Sequence, residues 1–382
     1  MFLQHTSHDE DENIAYCVSD MQGWRISMED AHAAVLNLME DPNVDPKERV
    51  SFFAVYDGHG VHTRLLDLPE FKEKDWEAAL RRSFLKTDED LRSDPVYAND
   101  TSGCTAVAAL IVPQEGSEGR KIYVANAGDS RSVLGLAGTA KAMSFDHKPG
   151  NPEEHSRILN AGGFVEFDRV NGNLALSRAI GDFEFKQNGA LPAEKQIVTA
   201  DPQVISHDWT GEEEFLVLAC DGIWDCLSNQ QVVDLVRRGI AQGKELDVIT
   251  EDIIDRCLAP DAEVGGIGCD NMTLLIVALL GDRTKAEWYE WIKQRVENKV
   301  GYDTPESVPP VFRTQAQQAQ NPSLFGNTAQ RNMTLSLNGL NGSDILSAIP
   351  RVLSGQAASE HGDIQGMEDE ETLSAGNAKS SS

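Results

Sequence analysis

The chain has 382 residues, a formal net charge of −29 and six cysteines that show neither a CxxC pair nor zinc-site spacing. Most of the negative charge, −24, lies in residues 1–300 and argues against nucleic acid as a ligand, because its phosphates would be repelled. We interpret the cysteines as reduced thiols. The N-terminus shows no signal-peptide pattern, and no apolar run reaches membrane-spanning length. These features predict a cytoplasmic or nuclear protein without membrane contact.

Composition divides the chain into three segments. Residues 1–12 are acidic, and we predict that they are disordered. Residues 13–300 contain all six tryptophans and are long enough for one folded domain with a sizeable core. Residues 301–382 are rich in Gln, Asn, Ser, Gly and Pro and would bury too little apolar surface to offset their ordering entropy. The sequence therefore predicts one folded domain, expected to be a monomer, and a disordered tail.

Apolar runs rich in Val, Ile, Phe and Tyr predict β-strands. In chain order they are residues 14–19, 50–56, 105–112, 121–127, 130–136, 213–220 and 272–280. Only Gly128 and Asp129 separate the fourth run from the fifth, which predicts an antiparallel hairpin.

Helical periodicity lies between these runs. It marks residues 76–91 after Asp75, a helix that begins with a capping box at Ser228 and Gln231, and residues 246–258. Strands in runs and helices in pairs predict an α+β fold, with stacked antiparallel sheets and helices outside them.

Acidic residues adjoin the most apolar runs. Asp57 ends the second run, Asp221 follows the sixth and Asp270 precedes the last. Singly, each is an ordinary turn or cap residue. Brought together near a core, they would raise one another's pKa unless cations lay among them. Oxygen ligands without a His or Cys cluster favour Mg²⁺ or Mn²⁺ over zinc, so the pattern predicts a multi-metal carboxylate site.

Two residues near these acids suit phosphate chemistry. Two divalent cations can share a bridging water, lower its pKa and direct it at a phosphorus atom. The planar guanidinium of Arg25 matches the geometry of phosphate oxygens, although Arg25 could instead form an ordinary surface ion pair. His59 can protonate a leaving alkoxide, although it could instead be a histidine that only stabilises a turn.

The motifs resemble those of the type 2C, metal-dependent Ser/Thr protein phosphatases, most closely the fungal members. The matching stretches include "GWRISMED", "FFAVYDGHG", "NAGDSRSVL", "GNLALSRAIGDFEF", "LACDGIWD" and "GCDNMT", in the family's order over residues 14–282. The resemblance implies a four-layer α/β/β/α sandwich with metals at one end. It implies hydrolysis of phosphoserine and phosphothreonine in phosphorylated protein substrates, and a flap at about residues 151–187.

The resemblance also implies a role for each matching residue. Asp57 would bridge two Mg²⁺ or Mn²⁺ ions, with Asp221 and Asp270 completing one site. Glu29 and the Gly58 carbonyl would serve the other. The same resemblance gives Arg25 the phosphate and His59 the general-acid role. Asp129 and Asp225, together with Asp221, would hold a weaker third ion. Asp30 and Asn271 would act through water or as supports of the ligands.

The sequence departs from the family after Gly60. Val61 stands where members carry a small residue, and only residues 61–77 separate Gly60 from the body of the next predicted helix, so most of one core helix is missing. We expect an exposed apolar sheet face behind the metals, and hence a thermally weak, slow protein that improves when a helix is inserted after Gly60. One alternative is a catalytically impaired module that binds phosphoproteins. A metal-dependent nuclease is disfavoured by the charge.

Overall fold

The computed structural model describes residues 4–39, 44–58, 65–97, 101–114, 119–262 and 266–312. All of these lie in one compact unit, Met1–Arg313. The predicted tail falls outside the described residues from position 313 onward, as do His59, Gly60 and Val61.

Two antiparallel sheets form the centre of this unit. The first has the strand order β1-β2-β14-β13-β7-β8, and the second has the order β12-β6-β5-β4-β3 with β11 beside β5. The strands are β1 Gln4–Glu10, β2 Ile14–Met21, β3 Asp30–Val35, β4 Ser51–Asp57, β5 Gly103–Pro113, β6 Arg120–Ala127, β7 Arg131–Leu136, β8 Thr139–Ala142, β9 Val165–Glu166, β10 Arg169–Val170, β11 Ile180–Gly181, β12 Gln203–Asp208, β13 Glu213–Ala219 and β14 Met272–Leu279.

Most of the helices cover the outer faces of the sheets. They are α1 Pro69–Lys72, α2 Trp76–Ser93, α3 Pro152–Asn160, α4 Asp221–Trp224, α5 Asn229–Ala241, α6 Leu246–Cys257 and α7 Lys285–Glu297. The helix starts follow the expected chemistry: the Asp75 side chain accepts a hydrogen bond from the Ala78 amide, and Ser228 with Gln231 forms the predicted capping box. Within the described residues, no helix is both long enough and apolar enough to span a bilayer.

Alternation along the strands divides the core into layers. Phe53 and Val55 from one sheet meet Leu216 and Leu218 from the other in a cluster between the sheets. The alternate residues of the same strands face outward. They pack against α4–α7 on the first sheet and against α1 and α2 on the second. This arrangement confirms the predicted α+β fold with four layers, α/β/β/α.

The predicted hairpin at Gly128 and Asp129 is wrong. Strand β6 lies in the second sheet, between β5 and β12, whereas β7 lies in the first sheet beside β13 and β8. Both edges of β6 are already paired, so β7 has no free edge to join. The chain instead crosses between the sheets at Gly128, whose φ of 125° no bulkier residue adopts easily.

The domain extends further at both ends than composition indicated. Part of the segment predicted to be disordered forms β1, which pairs with β2 from Gln4↔Met21 to Glu10↔Ala15. This strand is polar because an edge strand needs only backbone pairing on one side. Beyond residue 300, Thr304 and Val308 are buried, so the folded unit does not end there.

The expected gap in the core is filled among the described residues. Leu65, Leu68 and Phe71 are buried in the same cluster as the outer face of β4 and β5 and as helix α2. Tyr56, on that sheet face, is 2% exposed. A 3₁₀ turn at Leu65–Asp67 and the short α1 therefore cover the sheet that we expected to be exposed.

Candidate functional site

Four strand ends carry the predicted acids to one end of the sandwich. Asp57 ends β4 and lies opposite Asp30 in the pairing of β3 with β4. Asp221 begins α4 directly after β13, and Asp270 lies just before β14. Since β3–β4 and β13–β14 belong to the two stacked sheets, the acids meet where the sheets come together.

Burial and mutual repulsion raise the pKa values of these carboxyl groups. The pKa of Asp57 rises to about 8 because of burial and then the charges of Asp30, Asp129 and Asp270, against which Arg25 acts only weakly. Burial, followed by Asp57 and other carboxylates, raises the pKa of Asp221 to about 8 as well. Without cations, the site therefore favours the protonated, neutral forms of these two acids.

Asp30 supplies an acceptor without a partner. Its Oδ2 accepts a hydrogen bond of 2.8 Å from the Thr273 hydroxyl, whereas its Oδ1 is buried and makes no hydrogen bond. Burial raises the pKa of Asp30 to about 6. A buried carboxylate oxygen without a hydrogen bond, beside Asp57, is the kind of atom that a hard cation or a water bound to that cation would satisfy.

Asn271 ties the loop between β2 and β3 to the start of β14. Its Oδ1 accepts from the Glu29 amide at 2.8 Å, and its Nδ2 donates to the carbonyls of Gln22 and Ser27 at 2.7 and 2.9 Å. Both Nδ2 donors and the Oδ1 acceptor of this amide are therefore directed at this loop. Asn271 thus fixes the position of Glu29 directly, through the backbone.

Gly58 occupies a position that no other residue fits. Its φ is 119°, and a Cβ there would lie 2.6 Å from the Gly103 carbonyl oxygen. Its amide donates to the Glu29 carbonyl at 3.2 Å. The glycine therefore lets the end of β4 approach both β5 and the loop that carries Glu29.

Arg25 lies at the rim of the cluster. Its Nη2 is 2.5 Å from Asp270 Oδ2, and the hydrogen bond to Asp270 raises the pKa of the guanidinium. The Arg25 side chain is 61% exposed, so part of its donor fork faces solvent. An exposed guanidinium at the rim of a carboxylate cluster is well suited to receive a phosphate group.

Lys148 is a site residue that the sequence reasoning missed. Its ammonium group lies 2.5 Å from Asp129 Oδ2, at the point where the chain crosses between the sheets. The pKa of nearby Asp225 is raised by burial, an effect that Lys148 opposes. The available signal was the lone lysine in the "FDHKPG" stretch, which our interpretation did not use.

The described residues suit divalent cations. Within them, no group of three or more His, Cys, Asp or Glu side chains is already arranged to hold a metal ion. Asp270 forms an ion pair with Arg25, and Asp129 forms one with Lys148. The remaining carboxylates of the site have no such partner among the described residues and repel one another when they are charged. The candidate ligand atoms are all oxygens, and Asp30 Oδ1 among the neighbouring groups is buried without a hydrogen bond, so the chemistry of the set matches Mg²⁺ or Mn²⁺. His59, the predicted general acid, lies outside the described residues.

The predicted flap has a small core of its own. Ile158 of α3 packs with Val170, Phe185 and Val198 in a cluster separate from the sandwich layers. Glu154, 3% exposed, lies 2.6 Å from both Arg157 and Arg178. Burial alone would raise the pKa of Glu154, but the two arginines outweigh it and lower this pKa to about 2. The flap is thus held by a buried, charged network.

Three comparisons relate the chain to known proteins. Residues 14–264 match the family model described as Protein phosphatase 2C. "Protein phosphatase 2C homolog 2" of Aspergillus fumigatus is 53% identical over 317 residues, 78% of this chain and 72% of the relative. The Schizosaccharomyces pombe protein of the same name is 51% identical over 315 residues, 80% of this chain and 83% of the relative. A phosphatase crystal structure from Toxoplasma gondii aligns with a TM-score of 0.58 at 25% identity, covering 74% of this chain and 96% of that one.

Proposed function

The chain belongs to the protein phosphatase 2C family and is a metal-dependent protein serine/threonine phosphatase, and we propose that its buried carboxylate cluster holds the catalytic cations. The observation that carries this proposal is the convergence of the partly buried Asp57 and Asp221 where the two sheets meet, with pKa values raised to about 8. Cations at this point would remove the repulsion that raises those values.

The ligand assignment is the one that the resemblance to the family implies. Asp57 would contribute to both of two Mg²⁺ or Mn²⁺ sites, with Asp221 and Asp270 at one and Glu29 and the Gly58 carbonyl at the other. Asp129 and Asp225 would join Asp221 in holding a weaker third ion. Bound there, such ions supply a water of lowered pKa and neutralise phosphate charge.

The protein's own groups bind and orient the substrate. Arg25 offers its fork to the phosphate oxygens of a phosphoserine or phosphothreonine, exchanging its contact with Asp270. His59 donates a proton to the leaving serine or threonine oxygen. Asn271 and Asp30 keep Glu29 and Asp57 in place, which supports the ligand set without touching substrate.

No observation on the described residues favours the alternative of an impaired phosphoprotein-binding module. That alternative depended on an uncovered sheet behind Asp57, and Leu65, Leu68 and Phe71 cover it. The net charge of −29 supports phosphoproteins over nucleic acid as partners. Six free cysteines support a cytoplasmic or nuclear location, and we expect a monomer that binds no membrane.

The test is hydrolysis of a phosphothreonine peptide by the full chain with Mn²⁺ or with EDTA. Turnover should require the metal. Asp57→Asn should abolish turnover and weaken Mn²⁺ binding in calorimetry, because the bridging ligand loses charge toward both ions. Asp67→Asn, an exposed aspartate in the next segment of the chain, is the matched control and should change neither quantity. Near wild-type activity of Asp57→Asn at limiting Mn²⁺ would show that the bridging assignment is wrong.

A further inference from the structure

The chain after α7 forms an extended segment, residues 301–312, which we call the strap. It is linked to α5 and α6, and two of its residues are buried: Thr304 is 4% exposed and Val308 is 8% exposed. Val311 packs against the apolar cluster between the first sheet and its helices. The strap is therefore part of the folded unit, although the family model ends at residue 264.

Arginines on α5 and α6 hold the strap through its backbone. Arg237 donates to the Tyr302 carbonyl at 3.0 Å and to the Thr304 hydroxyl at 2.6 Å. Arg238 donates to the carbonyls of Thr304 and Pro305, and Arg256 donates to that of Val308 at 3.0 Å. Arg237 is itself fully buried and paired with Glu214, so the start of the strap is fixed to a rigid point.

The far end of the strap lies on the loop that carries Asp270. The Phe312 ring packs against Gly268, so closely that a Cβ on this glycine would be 2.6 Å from Phe312 Cζ. The Gly268 carbonyl in turn accepts from the Ala259 amide at 2.8 Å, just beyond the end of α6. Gly268 is thus held between the end of α6 and an aromatic ring from the strap.

The same loop reaches the proposed active site within two residues. The Cys269 carbonyl accepts from the Trp24 amide at 3.3 Å, and Asp270 pairs with Arg25 at 2.5 Å. A continuous set of contacts therefore runs from Phe312 through residues 268–270 to Arg25. The loop includes Gly266 and Gly268, both at positive φ, so its backbone has little intrinsic preference for one conformation.

We propose that Phe312 is a positioning residue for the metal centre: it presses the loop of residues 266–271 against the end of α6 and thereby sets the position of Asp270. This inference rests on the proposed role of Asp270 as a ligand. A glycine-containing loop places a ligand accurately only when an outside contact fixes it, and Phe312 is the contact that the strap supplies. Its effect should appear in metal affinity before it appears in chemistry.

The experiment compares Phe312→Ala with Val308→Ala in the full chain, with Phe312→Leu as the conservative variant. Calorimetry with Mn²⁺ should show an affinity about tenfold weaker for Phe312→Ala, the lower end of the loss typical for residues that support a metal ligand. Phe312→Leu should recover most of it. Val308→Ala should lower the melting temperature without changing Mn²⁺ affinity, because it leaves the ring on Gly268. Turnover at saturating Mn²⁺ should stay unchanged in Val308→Ala.

Two outcomes would overturn the inference. One is an unchanged Mn²⁺ affinity in Phe312→Ala, and the other is an equal loss of affinity in Phe312→Ala and Val308→Ala, which would indicate general loosening. Asp270→Asn distinguishes the proposed ligand role of Asp270 from the positioning role of Phe312. If this variant binds Mn²⁺ normally, the ligand assignment itself is wrong. If it weakens binding while Phe312→Ala does not, only the role of the strap is wrong.

Discussion

Asp129, like Asp270, has a basic side chain within ion-pair distance. Lys148 lies 2.5 Å from its Oδ2, so the charge of Asp129 is already partly balanced. We therefore expect Asp129→Ala to reduce turnover mildly and to leave binding of the two tighter Mn²⁺ ions intact in calorimetry. Complete loss of metal binding in this variant would contradict a role confined to a weak third ion.

At His59 we expect a loss that depends on the leaving group. Phosphoserine and phosphothreonine leave as alkoxides that need a proton, whereas p-nitrophenolate needs almost none. His59→Gln should slow hydrolysis of a phosphothreonine peptide by roughly 10²–10⁴-fold and that of p-nitrophenyl phosphate far less. Parallel measurements on both substrates decide the matter, since equal losses would indicate a structural role.

The sequence identified the acids because each stands at the end of an apolar run. Local pattern could not identify their supports: Asn271 was proposed only through the resemblance to the family, and Lys148 was missed. Asn271 reaches Gln22 and Ser27 from the far end of the chain, and Lys148 meets Asp129 across the join between the two sheets. Such contacts depend on which strands become neighbours, which local pattern does not determine.

Among the elements, the flap depends most on charge. Replacing Glu154 by Gln leaves Arg157 and Arg178 without a carboxylate, and breaking a buried pair of this kind costs about 3 kcal/mol. Because the folded-state pKa of Glu154 is lowered to about 2 from 4.5, its stabilisation is present above pH 4.5 and is lost as pH falls toward 2. Urea unfolding should show the loss, with the exposed neighbour Glu153→Gln unchanged as control.

The short segment before α2 should contribute strongly to stability. Phe71 is 5% exposed and packs edge-to-face on Trp76 with ring centroids 5.2 Å apart. Phe71→Ala should cost about 3–5 kcal/mol, whereas Leu66→Ala, at a residue 39% exposed, should cost much less. Denaturant melts of both variants test this. Similar small losses would revive the expectation that the sheet behind Asp57 is poorly covered.

The element predictions succeeded where the signal was local. Apolar runs and caps located the long strands and helices α2, α5 and α6 to within a few residues. The hairpin failed because short spacing does not show whether the first strand still has a free edge. The polar strand β1 was missed because its stability comes from pairing with β2 and not from its own side chains.

For the whole molecule we expect a pH-dependent stability that metal removes. Asp57 and Asp221 hold their protons to about pH 8 when folded but release them near pH 3.8 when unfolded. The folded state then binds more protons across this range, so metal-free stability should fall as pH rises from about 4 to 8. Melting temperatures in EDTA should be lower at pH 8 than at pH 6, and Mn²⁺ should stabilise most at pH 8.

Asp57→Asn separates this effect from the general charge of the protein. In EDTA the variant should lose less stability between pH 6 and pH 8 than the wild type, because one of the two repelling carboxylates is gone. A wild-type melting temperature in EDTA that stays constant or rises over this interval would refute the expectation.

The pairing of β2 with β14 has a consequence for biosynthesis. Met21 lies beside Met272, so the first sheet cannot close until nearly all of the folded unit has left the ribosome. Until then β2 has one unpaired edge, and such long-range pairing forms slowly. Asp221 and Asp270 leave the ribosome long after Asp57 and Glu29, so the emerging chain has no complete cation site. The enzyme should therefore acquire metal and activity together, in one late step after translation.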